Sequence, residues 1–140
     1  MSNPLYFFHT LYSTSLAMQT GEFMTVLIVD DHKGIRDLEK SLFASVFDTF
    51  YESTSGEEAI SLFKKFNPDW ILMDYKMKGM TGLEALKEIK QNNSSAKVIM
   101  VTQFDDVNLK KKALESGAVA FVAKEKLASI KNIILTNKEN

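Results

Sequence analysis

Five short strand-like runs, the second weaker than the rest, alternate with segments of helical periodicity between Met24 and Leu135, and this alternation restricts the chain to an α/β fold built on a parallel sheet. The runs are Thr25 to Val29, Thr49 to Ser53, Trp70 to Met73, Lys97 to Val101 and Val119 to Val122. After the first, Ile35, Leu38, Leu42 and Val46 recur at helical spacing, and this stripe is expected to face the sheet. Ser55-Gly56-Glu57-Glu58 reads as a capped start for a helix carrying Ala59, Ile60 and Phe63, which Asn67-Pro68 stops. Leu83, Leu86 and Ile89 mark a third helix, Asp105 to Ser116 a fourth, and about Lys126 to Leu135 a last. Gly117 has the position of a helix-ending glycine in left-handed conformation. With 140 residues the chain has enough surface to bury for one self-sufficient core. Residues 24–136 read as that domain, residues 1–23 as an N-terminal extension and residues 137–140 as a polar tail.

In a parallel sheet all carboxyl ends of the strands open on one edge, where ligands of doubly wound folds bind. Asp30, Asp31, Asp74, Thr102 and Lys124 all fall at or just after expected strand ends. Gathered there, the carboxylates repel one another, and a cation relieves that repulsion. Two or three carboxylates with a carbonyl oxygen form a hard donor set suited to Mg²⁺, which commonly works beside a phosphate. A carboxylate such as Asp74 is also a nucleophile, so its reaction with a phosphoryl donor yields an aspartyl phosphate. Lys124 offers a point charge for phosphoryl oxygens, and Thr102 one hydroxyl hydrogen bond. Taken singly, an aspartate after a strand commonly caps a turn, and a lone lysine is commonly solvated. It is their joint placement that carries the reading.

Composition removes several alternatives. The absence of cysteine excludes thiol catalysis, disulfides and cysteine-ligated zinc, and fits a reducing cytoplasm. Seventeen basic against eighteen acidic residues give no basic surface for direct nucleic-acid binding. No apolar stretch approaches the ~20 residues that span a bilayer, so no membrane association is expected. The first 23 residues lack Lys and Arg, unlike a secretory signal; they read as a leader, a tag or an over-extended start, with a partner-binding arm as the functional alternative. His32 reads as a helix-start residue, and with His9 the only other histidine there is no histidine metal cluster.

From about Met24 to Leu135 the chain resembles the receiver domain of bacterial two-component response regulators. The resemblance rests on Val29-Asp30-Asp31-His32, on the stretch from Met73-Asp74 to Thr81-Gly82, on Val101-Thr102, and on Gly117 to Lys124. It implies a flavodoxin-like (βα)5 three-layer sandwich with a five-stranded parallel sheet. It implies Asp74 as phosphoacceptor, Asp30, Asp31, Asp74 and the Lys76 carbonyl around Mg²⁺, and Thr102 and Lys124 as switch residues. Phe121, three before Lys124, falls where the family carries an aromatic that moves between exposed and buried states. The implied partners are a sensor histidine kinase or phosphotransfer protein, and an output protein or a DNA-binding domain not present in this sequence. Asp-Asp-His followed by Arg36 resembles the branch that often precedes a helix-turn-helix output domain. The sequence leaves a truncated and a stand-alone receiver equally open. Three departures stand out: Glu125 and Lys78 replace usual prolines, and Gln103 replaces the small residue after the switch threonine, narrowing access to Asp74.

Three functions stay open at this point. A phosphorylation-controlled binding module uses every site residue, with Lys110-Lys111-Lys112 either a partner surface or a solvated face. An Mg²⁺-dependent phosphohydrolase would use the same carboxylates, but Asp74-Tyr75-Lys76 lacks a second aspartate two residues on, and no Gly-Lys-Ser/Thr phosphate loop is present. A pseudo-receiver would keep only an interaction surface.

Overall fold

The structure, a computed structural model, describes residues 23–137. The extension expected over residues 1–23 lies outside the described residues except for Phe23, as does the expected tail beyond Asn137. Five strands, β1 Thr25–Val29, β2 Thr49–Ser53, β3 Trp70–Asp74, β4 Val98–Thr102 and β5 Ala120–Ala123, form one sheet in the order β2-β1-β3-β4-β5. Every neighbouring pair is parallel. Between them run α1 Lys33–Leu42, α2 Gly56–Phe66, α3 Gly82–Asn92 and α4 Val107–Glu115. A 3₁₀ helix, Lys124–Ser129, then leads into α5, Ile130–Asn137. The single helix expected near Lys126 to Leu135 is thus two, with non-helical backbone at Lys126 between them, and the α-helical part reaches Asn137.

Strand alternation sorts the apolar side chains into two layers, because successive residues point to opposite faces. Leu27, Val29, Ile71, Met73, Val98 and Met100 pack with Ala59, Phe63, Leu86, Ile89 and Ala113, from α2, α3 and α4. Val26, Ile28, Trp70, Leu72, Ile99 and Val101 pack with Phe43, Phe47, Ile130 and Ile134, on the side of α1 and α5. Full burial of each large side chain contributes about 1.5–3 kcal/mol, so both layers are needed to hold the three-layer sandwich. No helix among the described residues is long and apolar enough to cross a membrane.

Local signals behave as their chemistry dictates. Ser55 caps α2 by accepting from the Glu58 amide at 3.1 Å, and Asn67 closes it in left-handed conformation at φ 45°. Gly117 is left-handed at φ 102°, where a side chain would be strained. One expectation is corrected. The stripe Ile35, Leu38, Leu42 and Val46 does not face the sheet as a unit: α1 stops at Leu42, Leu38 is 46 % exposed, and Val46 lies beyond the helix. The buried side chains on this segment are Glu39, Phe43, Val46 and Phe47. An ionisable residue occupies the inward position, so a count of apolar residues alone assigns the wrong face.

Candidate functional site

The register of the sheet brings the acidic residues together. Val29 pairs with both Ser53 and Met73, so Asp30 leaves the sheet beside Asp74, the last residue of β3. Continuing the alternation, Asp30 follows Ile28 and Asp74 follows Leu72 on the α1 and α5 side. Both are buried, at 1 % and 4 % exposed. Lys124, just past β5, joins them: its Nζ lies 2.8 Å from Asp30 Oδ2 and 3.3 Å from Asp74 Oδ1.

The end of β1 is held from two directions. Asp30 Oδ1 accepts from the His32 amide at 2.8 Å, and the Asp30 carbonyl accepts from Arg36 Nη1 at 2.8 Å. Arg36 Nε in turn donates to Glu52 Oε1 at 3.0 Å, tying α1 to β2. Asp31 faces outward, its Oδ1 2.9 Å from His32 Nδ1. Expected as a mere helix-start residue, His32 does precede α1, but its ring also lies against both acids, 3.5 Å from Asp30 Oδ1.

Burial, with Asp30 close by, lifts the Asp74 carboxyl to about 6 against the opposing pull of Lys124. Burial alone would pull the Lys124 ammonium down, but its bonds to Asp30 and Asp74 outweigh this and leave its pKa raised. The strain therefore sits on the carboxylates: one lysine does not satisfy the cluster. Asp30, Asp31 and His32 offer ligand atoms within 4.8 Å of one another. With Asp74 adjacent, this oxygen-rich set fits a hard divalent cation, which would offset the repulsion that raises Asp74.

The cluster opens into a cleft of about 310 Å³ whose walls include Asp31, Asp74, Lys124, Lys76, Gln103 and Phe104. Gln103 is on the rim as its position beside Thr102 suggested, and Lys76 Nζ lies 5.6 Å from the centre of the Phe104 ring. Thr102 is the final residue of β4, fully buried, with Oγ1 accepting from the Phe104 amide at 3.1 Å. It does not line the cleft. Phe121 is half-buried against the α2, α3 and α4 layer, and Lys110, Lys111 and Lys112 are all exposed.

Glu39 was missed by the sequence reading. It is 2 % exposed, one carboxyl oxygen has no hydrogen-bond partner, and burial followed by the charge of Asp30 pushes its pKa up to about 8. Its one signal in the sequence is a carboxylate three or four residues from the inward-facing Arg36 and Phe43.

Comparison with known proteins adds to this geometry. The model of the response regulator receiver domain matches residues 26–135. The chemotaxis protein CheY of Halobacterium salinarum is 34 % identical over 99 residues, covering 71 % of this chain and 82 % of that protein. The transcriptional regulatory protein DegU of Brevibacillus brevis is 33 % identical over 102 residues, but the chain spans only 43 % of its length. Among solved structures, the receiver domain of the histidine kinase CKI1 from Arabidopsis thaliana, complexed with Mg²⁺ and BeF₃⁻, aligns at a TM-score of 0.72 and 25 % identity, covering 84 % of this chain and 91 % of that one.

Proposed function

The chain belongs to the response regulator receiver family, and from that premise we propose that Asp74 accepts a phosphoryl group from the phosphohistidine of a sensor kinase or phosphotransfer protein. The observation that carries the reading is the lysine-bridged pair of buried carboxylates, Lys124 2.8 Å from Asp30 and 3.3 Å from Asp74, with Asp74 and Lys124 lining an open cleft. A carboxylate oxygen of Asp74 donates its electron pair to phosphorus, the P–N bond to the imidazole breaks, and the departing ring nitrogen keeps that pair and takes a proton. Mg²⁺, held by Asp30, Asp31, Asp74 and the Lys76 carbonyl, would supply positive charge to both the carboxylates and the phosphoryl oxygens. Lys124 then exchanges part of its hold on the acids for a phosphoryl oxygen, and Thr102 releases the Phe104 amide to donate its hydroxyl hydrogen. Movement at Thr102 and Phe121 shifts the population of states recognised by an output partner.

Residues 24–136 constitute the proposed receiver unit, acting in the cytoplasm. The partner is an output protein or a DNA-binding domain of a longer regulator, as the length of DegU suggests. The chain is a signalling domain that carries the phosphoryl group on its own side chain. Intact mass after incubation with acetyl phosphate tests this for the wild type and Asp74→Ala, each with and without Mg²⁺. The expected result is one phosphoryl addition, seen only in the wild type with Mg²⁺. Addition to the Asp74→Ala protein, or none to either, would overturn the assignment.

A further inference from the structure

Glu39 has no task in the chemistry above, yet it lies beneath it. On α1, it follows Arg36 by one turn and precedes Phe43 by another, and Phe43 belongs to the layer of Val26, Ile28, Leu72 and Val122. Those strand residues are the ones whose alternation continues into Asp30, Asp74 and Lys124. Glu39 therefore shares a layer with the three bridged groups and approaches them from the interior, not from the cleft, whose lining does not include it. The residue is 2 % exposed, and Oε2 meets no donor. An unpartnered buried carboxyl oxygen costs stability wherever it occurs, so packing gives no account of a glutamate here.

We propose that Glu39 is a positioning residue of the phosphoryl site: from beneath, its carboxyl group sets the electrostatic balance between Lys124 and the carboxylates of Asp30 and Asp74. The inference rests on the receiver reading for the role of Asp74. The charged groups that bear on Glu39 are Asp30 from β1, Asp74 from β3, Lys124 from beyond β5 and Arg36 on its own helix. While Glu39 is neutral, Lys124 serves two carboxylates and remains available to an incoming phosphoryl oxygen. Once Glu39 ionises, a third buried negative charge draws on the same lysine and repels the phosphoryl donor. The same added charge favours a divalent cation. One group thus moves cation affinity and phosphoryl uptake in opposite directions, which a residue that only packs does not do.

The test compares the wild-type chain with Glu39→Gln and Glu39→Leu from pH 6.5 to 9.5. Three quantities are read: phosphoryl uptake from acetyl phosphate at saturating Mg²⁺ by intact mass, Mg²⁺ affinity by calorimetry, and the Glu39 carboxyl ¹³C shift in metal-free protein. All other titrating groups are common to the proteins, so the ratio of variant to wild type isolates Glu39. As Glu39 ionises, the uptake ratio is expected to rise about tenfold for both variants, the order of effect of one added like charge in the same buried layer, with its midpoint below the metal-free value of about 8 because bound Mg²⁺ favours the ionised form. Wild-type Mg²⁺ affinity is expected to tighten over the same range, the variants' to stay level, and the ¹³C signal to titrate near pH 8. Constant ratios for uptake and affinity overturn the proposal, whatever the ¹³C signal does. If no protein takes up phosphoryl, the Asp74 reading fails, and the Mg²⁺ affinities alone decide whether Glu39 acts on the cluster.

Discussion

Replacing Glu39 by leucine is expected to stabilise the fold by about 3 kcal/mol at pH 7, a gain set by proton linkage. In the unfolded chain the carboxyl ionises near its ordinary value of 4.5; in the folded chain burial and Asp30 hold it neutral up to about 8. A folded-state pKa raised in this way gives a contribution present in full below about pH 4.5 and lost progressively as the pH rises to about 8. At pH 7 most of it has gone, because the unfolded state gives up a proton that the folded state must keep. Leucine has no such term and fills the buried position with apolar volume. Urea unfolding of both proteins at pH 5 and pH 8, without divalent cations, measures the difference. The leucine advantage should be small at pH 5 and several-fold larger at pH 8. An advantage that stays the same at both values would mean that the charge of Glu39 plays no part.

That result bears on how the site is built. Asp74, lifted to about 6, carries the same kind of penalty on a smaller scale. Two acids in one layer are therefore held against their ionisation, one at the cleft and one below it. Functional sites commonly store instability of this kind, which substitutions relieve at the expense of activity. Asp74→Ala should gain stability as Glu39→Leu does, but unlike it should lose phosphoryl uptake.

What the sequence revealed follows the same division. The strands, their order of appearance and the convergence of Asp30, Asp31, Asp74 and Lys124 were legible, because apolar runs ending in charged residues report directly on strand ends. Thr102 was legible as a neighbour of the site but not as a buried group bonded to the Phe104 amide, since local main-chain turns after β4 leave no compositional trace. Glu39 was illegible because periodicity counts apolar residues and reads a glutamate as solvent-facing; that rule placed Leu38 inward where it is exposed. The tertiary override comes from Arg36 one turn back on the same helix and from Lys124 beyond β5, which supply the positive charge that lets an acid be tolerated. Lys124 also bridges Asp30 and Asp74 directly, a contact that depends on the register of β1, β3, β4 and β5 together and that no single segment encodes.

Gly82→Ala is expected to destabilise the protein by about 3 kcal/mol or more, at the upper end of what overpacking costs. A Cβ at this position would stand 1.9 Å from the carbonyl oxygen of Asp74 and 3.0 Å from Met73 Cγ. The first of these is main chain, so no side-chain rotation relieves it; either β3 or the start of α3 must move. Neither is free. Gly82 donates its amide to the Tyr75 carbonyl at 2.8 Å, closing the loop that follows Asp74, and Thr81 caps α3 by accepting from Glu84 at 3.2 Å. Displacing Gly82 therefore drags Asp74, Tyr75 and the Lys76 carbonyl, three of the groups on which the proposed site depends, out of register with Asp30 and Lys124. Phosphoryl uptake by the folded fraction should fall by at least tenfold, as expected when reacting groups shift by about 1 Å. Urea denaturation and acetyl phosphate uptake, each normalised to the folded fraction, separate the two effects. A variant that loses stability yet takes up phosphoryl at the wild-type rate would show that the loop tolerates the shift and that Asp74 is positioned by Lys124 and Asp30 alone.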